Sequence, residues 1–193
     1  MAQRHQHGRG DGRRRFRYYF ACSLDGYIAD AQGGVGWLEP FQTSASSFPE
    51  FMAQVDTAIV GRKTFEFAMT HGHGMGMRTY VLTRGTVPNL PKEASLASDA
   101  EALVRELRGE AGKNVWVVGG GQSAAALLAA DGMDEIEMHI MPVVLGAGVP
   151  MLQANVGQEA GGASLPVPAP FRLQACEGLA DGTARMVYVR GPS

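Results

Sequence analysis

Cysteine is scarce: the 193-residue chain has two, Cys22 and Cys176. Each lies in a strand-like run, so neither a disulfide framework nor a cysteine-ligated metal is expected. Both read as small buried hydrophobes in a reducing, cytoplasmic compartment. Charge is sparse too. Charged residues make up 19% and the formal net charge is -2, which gives nucleic acid or an anionic membrane no reason to bind. No apolar stretch reaches the length a bilayer crossing needs. One basic cluster breaks the balance: Arg13, Arg14, Arg15 and Arg17. It reads as part of a disordered basic leader, residues 1–14, ahead of a single domain over residues 15–193. A twin-arginine export signal is excluded, because Ser23, Asp25 and Asp30 interrupt the apolar segment that would have to follow.

Glycine, by contrast, is abundant, at 26 residues, and it punctuates a regular alternation. Residues 15–22 (RFRYYFAC) form an aromatic-rich first strand. Residues 23–47 are loop-rich and residues 48–54 a short helix. A buried strand over 57–60 leads through Gly61 into a helical run ending near Met69. Residues 80–82 form another strand. A helix over 98–108 starts at a capping box of Ser98 and Glu101. Residues 115–118 are a strand, 122–130 a helix with Gly132 as its stop, and 135–141 (EIEMHIM) a strand with two unlike faces. A glycine- and proline-rich stretch, 146–170, precedes two last strands joined by a turn at Asp181 and Gly182. Strands alternating with helices predict a mostly parallel α/β sheet covered on its faces, with an antiparallel C-terminal hairpin.

Three strand ends in this pattern carry groups suited to phosphate. Gly61-Arg62-Lys63-Thr64 follows one strand and opens a helix. Thr83-Arg84 follows the next. Gly119-Gly120-Gly121 follows a third and opens another helix. Helix N-termini offer free N–H groups and partial positive charge, and ligands in open α/β sheets bind at the carboxyl ends of strands. A tight turn would account for one glycine; three in a row favour an anion close to the backbone. Two nucleotide signatures fit only on paper. Gly119, Gly121 and Ala124 match the G-x-G-x-x-G/A spacing but come after several strands, not in the first βα unit. The Gly61 segment ends like a P-loop, yet Arg62 stands where that motif needs glycine.

These residues resemble the dihydrofolate reductase superfamily, closest to the reductase domain of the riboflavin-biosynthesis deaminase-reductases and its free-standing relatives. The resemblance rests on Ser23-Leu24-Asp25-Gly26-Tyr27-Ile28-Ala29, Gly61-Arg62-Lys63-Thr64-Phe65-Glu66, Val81-Leu82-Thr83-Arg84 and Gly119-Gly120-Gly121. A fifth stretch, Pro142-Val143-Val144-Leu145-Gly146-Ala147-Gly148, matches the free-standing relatives. It covers roughly residues 16–190 and implies a three-layer α/β/α fold, NADPH as hydride donor and a homodimer built partly through sheet edges. It implies that Arg62, Lys63 and Thr64 hold cofactor phosphates, with Gly61, Leu82 and Val118 beside them. Thr83 and Arg84 would hold the 2′-phosphate, and Gly119, Gly120, Gly121, Gln122 and Ser123 the pyrophosphate and ribose. Asp25 and Trp37 would lie on the substrate and nicotinamide side, and Glu50 is the positional counterpart of the folate reductases' acid.

The deaminase signatures H-x-E and P-C-x-x-C are absent, so no zinc is expected. Residues 48–55 (FPEFMAQV) lack the arginines that the riboflavin-pathway reductases place there. The expected function is therefore NADPH-dependent reduction of a small heterocycle, with Tyr27, Trp37, Phe41, Phe48 and Phe51 as stacking aromatics. The alternatives are the phosphoribosylaminouracil reductase, a folate reductase proper, or a non-catalytic NADP(H)-binding protein. His139 is a structural histidine that could instead touch substrate.

Overall fold

The computed structural model describes residues 13–153 and 169–191. The alternation of elements produces an eight-stranded sheet. In chain order its strands are β1 (Phe16–Cys22), β3 (Val55–Gly61), β4 (Arg78–Leu82), β5 (Ala94–Ala97), β6 (Asn114–Gly119), β7 (Glu135–Ile140), β9 (Phe171–Gly178) and β10 (Ala184–Arg190). In space the order is β5-β4-β3-β6-β1-β7-β10-β9. Pairings from β5 across to β7 are parallel, and β10 is antiparallel to both β7 and β9. A two-stranded ribbon of β2 (Tyr27–Ala29) and β8 (Val149–Pro150) stands apart.

Helices cover both faces. On one side α3 (Ala100–Gly109) and α4 (Gly121–Ala129) pack Leu103, Leu107 and Leu127 against Phe16, Tyr18 and Phe20 of β1 and Val115 and Val117 of β6. On the other, Phe65 of α2 (Arg62–Thr70) packs on Val60 and Val81, and Phe51 of α1 (Phe48–Met52) packs on Tyr19 and Val55. The fold is the expected three-layer α/β/α arrangement with a mostly parallel sheet and an antiparallel C-terminal hairpin. The turn of that hairpin forms at Asp181 and Gly182: the Asp181 carboxylate accepts from the Thr183 N–H, and Gly182 takes φ +86.

Several local expectations change. Residues 94–97 form a strand that the sequence pattern hides, because Ser95 and Leu96 are exposed on an edge. Asp99, not Ser98, caps α3: its carboxylate accepts from the Ala102 N–H at 3.0 Å, so Glu101 falls one position short of a capping box. Asp131 takes the left-handed conformation after α4 at φ +56, and Gly132 donates back to the Leu127 carbonyl, as in a Schellman ending. Cys22 is buried, but Cys176 is exposed on edge strand β9.

Arg14 belongs to the domain, not to a disordered leader. It is buried, ion-paired with Asp56 and Glu110, and donates to the Lys113 carbonyl at 2.7 Å. Residues 1–12 of the proposed leader lie outside the described residues, as does 154–168 of the glycine-rich stretch.

Candidate functional site

β3 ends at Gly61 and β6 at Gly119, and the two strands are parallel neighbours. The helices they feed, α2 and α4, therefore start side by side. Both begin at a glycine N-cap with no side-chain cap, Gly61 and Gly120, which leaves their first N–H groups free of side-chain partners. The two starts nearly touch: a Cβ on Gly120 would sit 3.1 Å from Thr64 Oγ1.

Each glycine here also has a reason internal to the fold. Gly119 and Gly120 take φ +112 and +44, and a Cβ on Gly121 would collide with the Pro150 carbonyl. The inference that three glycines exceed what a turn needs is thus corrected: chain geometry alone requires all three.

The strand ends open into a cleft of about 1330 Å³, more than the roughly 300–1,000 Å³ typical for one small ligand. Gly61, Arg62, Lys63, Thr64, Leu82, Thr83 and Arg84 line it, together with Val118, Gly120, Gly121, Gln122 and Ser123. Gly119 does not; a Cβ there would sit 3.3 Å from the Tyr18 ring. Arg62 is occupied, donating to both carboxylate oxygens of Glu66 at 2.9 and 3.1 Å. Lys63 and Arg84 are exposed and have no ion-pair partner among the described residues. Thr83 Oγ1 accepts from the Gly85 N–H, which shapes the loop after β4.

The residues expected on the substrate side are not brought to the cleft. The Asp25 carboxylate takes hydrogen bonds from Ser23 Oγ at 2.6 Å and from the Leu145 and Gly146 N–H groups. Chiefly through the Ser23 bond, it is held below the usual carboxylate range. It ties the turn after β1 to the Pro142–Gly148 motif and is a turn-former. Glu50 is exposed on α1, away from the cleft lining. Trp37 lies in the 3-10 stretch Gly36–Ser47, with its Nε1 buried and without a hydrogen-bond partner. Tyr27, Phe41, Phe48 and Phe51 do not line the cleft either. Arg78, in principle a spare cation, is fixed at the start of β4 by Glu110 at 2.6 Å and by the Tyr80 hydroxyl.

The rings that do line this end are Tyr19 and Phe20 of β1, Phe67 of α2 and Trp116 of β6. Tyr19 and Trp116 share one sheet face with Phe48 and Phe51, at ring separations of 4.4 to 5.8 Å from Tyr19 to both phenylalanines and from both to Trp116. The Tyr19 hydroxyl pairs with Ser47 Oγ at 3.1 Å, and the Trp116 indole donates to the Tyr19 carbonyl. Burial pushes the Tyr19 phenol up, against a smaller opposing effect of the Ser47 bond.

On the same face, next to these rings, lies a buried charge layer. Arg17 donates to Glu135 at 2.5 Å and to Glu137 at 3.2 Å, and Arg185 to Glu137 at 2.6 Å. Burial raises the Glu137 carboxyl, but His139 and the Arg185 and Arg17 guanidiniums outweigh it and hold the group below the usual glutamate range. His139 is a buried member of this layer. Its Nε2 lies 3.7 Å from Glu137 and 5.0 Å separates its ring from Tyr19, and it is not part of the cleft lining.

The RibD C-terminal domain family model matches residues 16–183. The chain belongs to this family. Among its relatives, the uncharacterised protein YwjB of Bacillus subtilis is 32% identical over 138 residues, which are 69% of this chain and 79% of YwjB. A structure from Shewanella sp. PV-4, named for riboflavin biosynthesis, superposes with a TM-score of 0.77 at 24% identity, covering 92% of this chain and 99% of that one. A dihydrofolate reductase from Enterococcus faecalis, complexed with NADP(H), superposes with a TM-score of 0.66 at 16% identity, covering 92% and 97%. The chain is thus a RibD C-terminal domain with a dihydrofolate reductase-like fold. No described helix is long and apolar enough to cross a membrane.

Proposed function

We propose that the protein is an NADPH-dependent reductase of a small heterocyclic substrate. One observation carries this reading: two uncapped helix N-termini converge at Gly120 and Thr64, flanked by the uncommitted cations Lys63 and Arg84. Backbone N–H groups at helix starts suit a pyrophosphate, and a free guanidinium suits a further phosphate. When bound, the dinucleotide supplies a hydride. The chain's own part is to hold and orient it. Gly120, Gly121, Gln122 and Ser123 would meet the pyrophosphate and ribose, and Thr64 and Lys63 the neighbouring phosphate oxygens. Thr83 and Arg84 would take the 2′-phosphate. Arg62 joins them only by releasing Glu66, so its share is smaller.

The family supports a second reading, reduction of the phosphoribosylaminouracil of riboflavin synthesis. A phosphate monoester needs a second basic cluster. Residues 48–55 provide none, and Arg78 is bound to Glu110, so the heterocycle reading is preferred. A homodimer is proposed on the family resemblance alone. Calorimetric titration tests the main reading. Micromolar binding of NADPH, markedly tighter than of NADH, is the expected result, with NADPH oxidation on a heterocycle panel. Absence of NADPH binding refutes it.

A further inference from the structure

We infer that Tyr18 is a positioning residue for the dinucleotide: it holds residues 149–153 as a strap beside the N-terminus of α4. The inference rests on the reductase reading. Tyr18 is 1% exposed and outside the cleft lining, so it meets no ligand itself. Its ring lies beside the turn into α4, where a Cβ on Gly119 would sit 3.3 Å from it. Stacking on Phe20, with centroids 4.0 Å apart, fixes the ring. Its hydroxyl donates to the Met151 carbonyl at 2.7 Å, 133 positions away in the chain. Burial raises the phenol above its ordinary value, so it remains a donor.

The strap that this bond holds crosses the start of α4. Gln153 donates its N–H to the Gly121 carbonyl at 3.0 Å, and a Cβ on Gly121 would collide with the Pro150 carbonyl. Val149 and Gln153 line the cleft. The strap is also tied to the turn after β1: the Met151 N–H donates to the Gly26 carbonyl at 3.0 Å, and β8 pairs with β2. A helix start holds an anion through its free N–H groups. A carbonyl oxygen that swings toward those groups competes with the anion for them. Tyr18 occupies the Met151 carbonyl. Without the hydroxyl that oxygen loses its partner, and the strap shifts to satisfy it. The neighbouring Pro150 carbonyl, packed on Gly121, shifts with it.

Titration calorimetry with NADP⁺ on the parent and two variants tests this. Tyr18→Phe removes only the hydroxyl. Thr79→Val is its match: it removes another buried hydroxyl that donates to a backbone carbonyl, that of Met77 at 2.9 Å, at the start of β4 and outside the cleft lining. Both substitutions keep the shape of the side chain, so both variants are expected to fold. Tyr18→Phe should weaken NADP⁺ binding about tenfold, the upper end of what one hydrogen bond carries, whereas Thr79→Val leaves it unchanged. Hydrogen exchange of the Gln153 amide should be faster than in the parent for Tyr18→Phe and not for Thr79→Val. Unchanged NADP⁺ affinity in Tyr18→Phe overturns the inference. So does an equal loss in Thr79→Val, or a Gln153 amide that exchanges in Tyr18→Phe as it does in the parent. A parent that binds no NADP⁺ refutes the reductase reading, and this inference with it.

Discussion

At the end of the cleft formed by β3, β4 and β6, the chain offers backbone N–H groups, hydroxyls and two uncommitted cations. At the end formed by β1 and β2 it offers rings and methyl groups. The same sheet supports both, and the difference lies in where the polar groups went. At the first end they are left open: the helices lack side-chain caps, and Lys63 and Arg84 have no described ion-pair partner. At the second they are used up internally. Asp25 is bound by Ser23, Leu145 and Gly146, and Glu137 by Arg17 and Arg185. Unsatisfied groups point to a ligand, and satisfied ones to stability.

The largest expected effect tests the satisfied end. Glu137→Ala leaves Arg185 without its buried partner, and a broken buried pair costs about 3–5 kcal/mol. Urea denaturation should show that loss, while NADPH affinity of the folded protein stays unchanged. A loss of cofactor binding at constant stability would break the division between the ends. The pH dependence follows in sign. The Glu137 carboxyl is held below its ordinary value, so its contribution is present above that value, about 4.3, and is lost as pH falls through the folded-state value. Glu137→Gln should flatten that part of the acid limb.

A smaller effect tests the open end. Arg84→Ala should weaken NADPH binding by about 1.5–3 kcal/mol, the range for hydrogen bonds to charged groups. NADH binding and the melting temperature should not move. Equal losses for both dinucleotides would take Arg84 off the 2′-phosphate. The smallest effect belongs to Thr64→Val, which removes one hydroxyl between the two helix starts. A loss of about 0.5–1.5 kcal/mol for NADPH and NADH alike is expected in titrations. No change in either would remove Thr64 from the site.

The two ends also differ in how far they can be read from sequence. Fold class, strand ends and polar cleft residues were legible because glycine, Lys, Arg and Thr at strand-to-helix junctions are local signals. The lining rings were not. Tyr19 sits in RFRYYFAC, where Arg15 and Arg17 share its face, and Trp116 in VWVV, which is apolar on both faces, so neither pattern says which face looks into a cleft. The EIEMHIM alternation was visible but suggested two unlike faces without saying that the polar one is buried. Only the pairing of β7 with β1 and β10 supplies Arg17 and Arg185 to it. Asp25 misled for a related reason: a carboxylate near the right position in the chain says nothing about what already binds it, while Glu50 is exposed on α1, outside the cleft lining.

β1 lies at the centre of the sheet between β6 and β7. Its neighbours come late: Arg15 meets Asn114, 99 positions on, and Arg17 meets Glu135, 118 positions on. One edge of the most aromatic strand therefore stays unpaired until synthesis has passed Gly119, and the other until it has passed Ile140. Closing such long loops delays folding far more than it costs final stability. Until then the nascent chain exposes Phe16, Tyr18, Tyr19 and Phe20 on a bare strand, the kind of segment that invites aggregation or a chaperone. The strand that later floors the cleft is thus the one that most needs protection while the protein is being made.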